Sequence, residues 1–294
     1  MSAASSTLVR ESAIAGAWYP GSAAALRRTI EEHLNRVTPV LLPGPLLALV
    51  SPHAGYAYSG PTAAHAYAQA RGRAFDRVVL LGPLHRPIWG SRLGALMVPT
   101  ENAYRTPLGD APLDRAFLAA LGERVALTPV RGDQEHSLEI QLPFLQAALA
   151  QPAASHQPGF SLAPIMFGEQ ISEPGALARL DRVASALAAL ADEKTLVVAS
   201  TDLSHMDDYA DVVRTDRRLV DLVAAFDVDG LAAALAAEQV QACGAAGLVV
   251  ALRAAQKRGA ISAQALAYAA SGDVTGDKRP GTYCVGYLAA AVYG

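Results

Sequence analysis

Short continuous runs of Val, Ile, Leu and Ala recur along this chain, each closed by a small-residue or polar loop and followed by an Ala-rich stretch with helical spacing. That alternation is the pattern of an α/β fold. Strands are predicted at residues 46–50, where Pro52 breaks the run, and at 78–81, ended by Gly82-Pro83. Further strands are predicted at 162–167, 195–199, 265–269 and 283–293. The runs are apolar throughout, which argues for burial on both faces of a sheet. Helices are predicted at 26–34, 113–121, 137–149, 176–191, 212–226, 230–237 and 245–256, and from Gly60-Pro61 through residue 70, with proline in the first turn. The expected architecture is α/β, a single domain with a central, mostly parallel or mixed sheet flanked by helices.

Composition sets the outer bounds. The 294 residues are 52% hydrophobic and 17% charged, enough to bury a large core and too apolar for a disordered chain. No linker divides them, so a flexible N-terminus over 1–9 and one domain over 10–294 are expected. A net charge of -3 without a run of Lys or Arg excludes the electrostatic footprint of a nucleic-acid binder. The 21 arginines against three lysines suit a GC-rich, bacterial coding sequence. No stretch reaches the roughly 18 to 20 apolar residues of a membrane span, and the first residues lack a basic region leading into an apolar core. A soluble, cytoplasmic protein with Cys243 and Cys284 as free thiols is expected.

Three of the predicted strands run directly into ionisable residues: Pro52-His53-Ala54-Gly55-Tyr56, Gly82-Pro83-Leu84-His85 and Ser200-Thr201-Asp202-Leu203-Ser204-His205. Open α/β sheets bind ligands outside the carboxyl ends of their strands, so these loops, distant in sequence, can meet there. Imidazole serves both as a metal ligand and as a general base, and a metal or acid/base site is the reading. His53 either reaches over a cleft or hydrogen-bonds its own loop, and His85 repeats its setting. Cys243 precedes a helix start, where the free amides favour a thiolate that ligates metal or attacks an electrophile; the alternative is a small apolar residue closing the helix. If the loop after residue 200 turns helically, Asp202 and His205 share a face and the carboxylate fixes the imidazole; otherwise Asp202 or Thr201 caps a helix. His136 is placed at a helix start lining the pocket, Glu139 as a capping or surface carboxylate, His65 in the core, and His33 and His156 on the surface.

Taken in order, Ala15-Gly16-Ala17-Trp18-Tyr19-Pro20, the His53 loop, Gly82-Pro83-Leu84-His85, Glu135-His136-Ser137-Leu138-Glu139, the 200–205 loop and Cys243-Gly244 resemble the Memo family over nearly the whole chain. Its prokaryotic branch is the AmmeMemoRadiSam system protein B. The resemblance implies a fold similar to class III extradiol dioxygenases, which are non-haem iron enzymes. It also implies a metal held by His53, His85 and Cys243, with His205, Asp202 and His136 nearby in catalytic roles. Fe(II) is the first expectation, with Cu or Zn as alternatives, because a thiolate replaces the carboxylate of the dioxygenases and sulfur is the softer donor. His205 would be the general base and Asp202 its orienter. The implied ligand is a small molecule or peptide, and the implied protein partners are AMMECR-like and radical SAM proteins. A metal-free hydrolase with Cys243 activated by His205 or His136, and a non-catalytic scaffold, are the competing readings.

Overall fold

The computed structural model describes residues 8–86, 94–149, 159–168 and 170–294. Its elements in chain order are β1 (Val9–Arg10), α1 (Ala23–Asn35), β2 (Leu46–Ser51), α2 (Tyr56–Ala70), β3 (Arg77–Pro83), β4 (Leu96–Pro99), β5 (Ala103–Thr106), β6 (Gly109–Pro112), α3 (Arg115–Gly122) and β7 (Leu127–Val130). There follow α4 (His136–Glu139), α5 (Leu142–Ala148), β8 (Ser161–Phe167), α6 (Ala176–Leu190), β9 (Thr195–Ser200), β10 (His205–Met206), α7 (Tyr209–Ala224), α8 (Val228–Ala236), α9 (Ala245–Lys257), β11 (Ser262–Ala270), α10 (Ser271–Thr275) and β12 (Cys284–Tyr293). No helix among the described residues is long and apolar enough to cross a membrane.

One mixed sheet organises the molecule, in the order β10-β12-β2-β9-β3-β8-β4-β7, with β11 also on β12. Its centre, β2-β9-β3-β8, is parallel, and β12 and β4 join it antiparallel on either side. Every residue of β2 and β9 is buried, the consequence of helices covering both faces. Alternate side chains go to opposite cores: Val79, Leu81, Val197 and Ala199 pack towards α6 and α9, while Val78, Leu80, Leu196 and Val198 pack with α2 and α5. The expected α/β single domain with a mixed sheet between helices is what folds.

Several boundaries differ from expectation, each for a local reason. Helix α2 starts at Tyr56, a full turn before Pro61, because the Tyr56 amide donates to Trp18 O and its hydroxyl donates to Ile140 O, anchoring the earlier turn. The helix predicted over 137–149 is broken into α4 and α5: Pro143 has no N–H to donate back to residue 139, and residues 140–141 form a turn. Strand β1 pairs with β5, and β5 with β6, in a small three-stranded sheet outside the prediction, since strands of two to four residues carry no periodicity. Val9, placed in the flexible N-terminus, pairs with Ala103; residues 1–7 lie outside the described residues, as does His156. His33, expected on the surface, is half-buried with its ring towards Phe144, and His65 is half-buried rather than in the core.

Glu139 departs most from expectation, for it is fully buried. Arg10, 2% exposed, donates to Glu139, to Asp133 at 3.2 Å and to Glu135 O at 2.8 Å. Glu139 also accepts from the Ala13 amide at 2.8 Å and from the Tyr19 hydroxyl at 2.6 Å. The network ties the N-terminal segment to α4. Removing one partner of a buried ion pair leaves an uncompensated charge, so Arg10→Ala is expected to lower the unfolding free energy by about 3 to 5 kcal/mol in urea titration. A loss below about 1 kcal/mol would show that the carboxylates find other partners or neutralise at little cost.

Candidate metal centre

Strand β9 lies between β2 and β3, parallel to both, with Ser200 in register with Ser51. The three loops read from the sequence therefore leave the same sheet edge side by side, as the rule for open α/β sheets requires. His53 follows β2 by two residues and His85 follows β3 by two. His136 opens α4, which is fastened to β3 by the Ser137 hydroxyl donating to Pro83 O at 2.8 Å. Cys243 lies ahead of α9, its amide donating to Asp202 O at 3.2 Å.

One ring nitrogen from each of His53, His85 and His136 lies within 4.8 Å of the other two, a separation at which a single metal ion can be shared. The ring of His53 stands nearly perpendicular to the other two, which stack with centroids 4.5 Å apart. His136, expected only as a cleft acid or base, thus stands with the donor set on geometry. Cys243 is adjacent rather than inside that trio: its Sγ is 3.1 Å from His53 Nε2.

The Nδ1 atoms are spoken for, and this decides the tautomers. Glu135 is buried, and its Oε1 is 3.0 Å from His85 Nδ1 and 3.2 Å from His136 Nδ1. Burial would raise its pKa, but the hydrogen bonds from His85 and the Ser137 amide, ahead of the electrostatic influence of the two rings, hold it down to about 2. An ionised carboxylate only accepts, so His85 Nδ1 carries the proton, and the same charge favours a proton on His136 Nδ1. For His53 a hydroxyl takes the place of the carboxylate. Ser200 donates to Ser137 O at 2.6 Å and accepts from Gln141 Nε2 at 2.7 Å, so at 3.1 Å it accepts from His53 Nδ1. With the Nδ1 atoms so engaged, Nε2 is the atom that each ring has left for a metal. Burial, and then the neighbouring imidazoles, push the pKa of His53 well down; burial brings that of His136 down to about 4. At neutral pH both rings are in the uncharged form that ligates metal.

Asp202 and His205 do not pair. Residues 201–204 form no helical turn, so the two side chains that such a turn would have aligned are not brought together. Asp202 Oδ1 instead accepts from the His53 amide at 2.7 Å, and burial raises its carboxyl to about 7 against that bond. The ring of His205 is exposed at the cleft mouth, with Nδ1 2.7 Å from the Tyr283 hydroxyl. Cys243 also differs from expectation: desolvation, followed by the Asp202 carboxyl, pushes its thiol pKa up, and this outweighs the helix-start amides that would favour thiolate. The imidazole touching its sulfur belongs to His53, not to His205 or His136.

These groups open on a cleft of about 710 Å³ that His53, His85, His136, Asp202 and His205 line together with the aromatic rings of Trp18, Tyr58, Tyr283 and Tyr287. Trp18 packs on His136 with ring centroids 4.4 Å apart. Sequence reasoning missed Glu135, Ser200 and Gln141 as supports and Tyr283 at the mouth. Glu135 alone had a readable signal, a carboxylate directly before a histidine at a helix start.

Fold and site define an α/β protein with a cluster of three imidazoles, buried at His53 and open to the cleft at His85, able to hold a metal ion. Residues 10–291 match the family model described as Memo-like protein, and the chain belongs to that family. A MEMO1 family protein of Methanopyrus kandleri is 34% identical over 95% of this chain and 97% of its own length. Others from Methanococcoides burtonii and a Thermotoga species are 32% and 33% identical over 97% of this chain and at least 99% of theirs. The relatives thus include archaea as well as a bacterium.

Carboxylates behind ligating histidines typically contribute 10- to 100-fold to metal affinity. Glu135→Gln, which removes the charge held against two of the three rings, is expected to weaken Zn(II) or Fe(II) binding by about that factor in direct titration. Unchanged affinity would show that Glu135 has no part in the ligand set.

Proposed function

We propose that this protein is a mononuclear metal-dependent redox protein, similar to the extradiol dioxygenases, acting on a small organic molecule in the aromatic cleft. The observation that carries the reading is the trio of imidazoles held through Nδ1, whose Nε2 atoms have, among the described residues, no partner other than the Cys243 thiol. The ligands are drawn from His53, His85, His136 and Cys243. The three imidazoles are neutral donors suited to Fe, Cu or Zn, and Cys243 adds the one soft, anionic donor. A bound Fe(II), the first choice, would supply coordination positions for dioxygen and substrate together with a one-electron couple; copper and zinc are the alternatives.

The remaining work falls to the chain's own groups. Glu135 and Ser200 hold the rings in register, and Asp202 fixes the His53 loop through its amide. Trp18, Tyr58 and Tyr287 give the cleft walls on which an apolar or aromatic body can lie while water is displaced. His205, at the mouth and outside the donor set, is the general base that takes a proton from a bound hydroxyl.

Metal content by mass spectrometry on protein purified anaerobically without a metal-binding tag tests the reading. Wild type is expected to carry one iron or copper per chain, and His53→Ala to lose it. His136→Ala and Cys243→Ala, compared side by side, identify the third donor by which of them loses the metal. Metal-free wild type, or full loading of His53→Ala, would overturn the metal-centre reading. Loaded protein that consumes no oxygen with any catechol would overturn the redox part and leave the scaffold reading, with AMMECR-like and radical SAM proteins as the partners to seek by co-purification.

A further inference from the structure

His205 has lost the carboxylate partner expected for it, yet its ring is not unsupported. It belongs to β10, which pairs antiparallel with β12 so that His205 faces Val285. Tyr283 immediately precedes β12, two residues ahead of Val285, which puts its long side chain within reach of His205. Its hydroxyl is 2.7 Å from His205 Nδ1. The segment that carries it is braced internally: Asp277 Oδ1 accepts from the Arg279 amide and the Thr282 hydroxyl, and the Thr282 amide donates to Arg279 O. Gly276 and Gly281 take the left-handed backbone that this tight path needs, at φ +75° and +80°. Asp277, Thr282 and Tyr283 all line the cleft, and Tyr283 is 59% exposed, so its hydroxyl meets both the imidazole and water.

We propose that Tyr283 is the positioning residue for His205: its hydroxyl oxygen accepts from His205 Nδ1–H, fixes the tautomer with a bare Nε2, and passes the ring's proton to solvent. The proposal rests on the general-base role given to His205 above. The exposed phenol can direct its own hydrogen to water while its oxygen accepts from the ring. When Nε2 takes a proton from a cleft-bound hydroxyl, the N–H bond at Nδ1 breaks towards the Tyr283 oxygen. The phenolic proton leaves to water, and charge and atoms balance. The hydrogen bond that Asp202 was expected to supply is thereby made by Tyr283.

Long-range proton–nitrogen correlation spectra of protein labelled with ¹⁵N-histidine read each ring's tautomer directly, and the signal missing in His205→Gln assigns His205. Without metal and with Zn(II), wild type is expected to show His205 protonated at Nδ1 with its two ring nitrogens well separated. In Tyr283→Phe those two shifts should move towards each other as the tautomers mix, while the signals of His53 and His85 stay in place. A wild-type His205 protonated at Nε2, or His205 shifts that Tyr283→Phe leaves unaltered, would overturn the proposal. The spectrum needs no bound metal, so failure to load Zn(II) would contradict only the metal-centre reading and leave the His205–Tyr283 result standing.

Discussion

The parallel pairing of β9 with β2 on one side and β3 on the other is the constraint from which the site follows. It sets Ser200 against Ser51 and brings three loop starts to one edge. A parallel strand in this position must be buried on both faces, which is why the sequence there is continuously apolar and why the polar residues wait until the strand has ended. The reactive groups are thus concentrated at the strand ends because the strands themselves cannot carry them. Helix α4 then closes the arrangement from above β3 and delivers His136 and Glu135 together.

Burial behind the imidazoles costs free energy unless polar groups find partners, and Glu135, Ser200 and Gln141 do so. Gln141 shows the logic: its amide donates to Pro52 O and Ser200, and its carbonyl accepts from Ser51 and Tyr67. Gln141 lies at the junction between α4 and α5. Glu139, at the end of α4, is buried, and Arg10 neutralises it. The N-terminal segment is thereby fixed, and its Trp18 becomes a cleft wall against His136.

Much of this is legible in the sequence. The apolar runs locate the six main strands to within a few residues, and the loop residues after three of them single out His53, His85, Asp202 and His205. Proline and short elements set the limits. Pro61 reads as a helix start, yet tertiary anchoring by Trp18 and Ile140 places that start earlier. Nothing in the sequence around Glu139 distinguishes a capping carboxylate from one buried against an arginine 129 residues away. The pairing of His205 with Tyr283 is equally hidden, since it depends on a two-residue strand meeting β12 in one register. Whether Asp202 reaches His205 or the His53 amide turns on the non-helical path of residues 201–204, which no periodicity signals.

Everything proposed for the cleft depends on the three imidazoles forming one metal centre. Anomalous X-ray diffraction from crystals of iron-loaded protein, collected on both sides of the iron absorption edge, tests this most directly. One strong peak is expected within bonding distance of His53 Nε2 and His85 Nε2 and of at least one of His136 Nε2 and Cys243 Sγ. A peak elsewhere on the molecule, or no ordered peak in protein shown to contain iron, would contradict it.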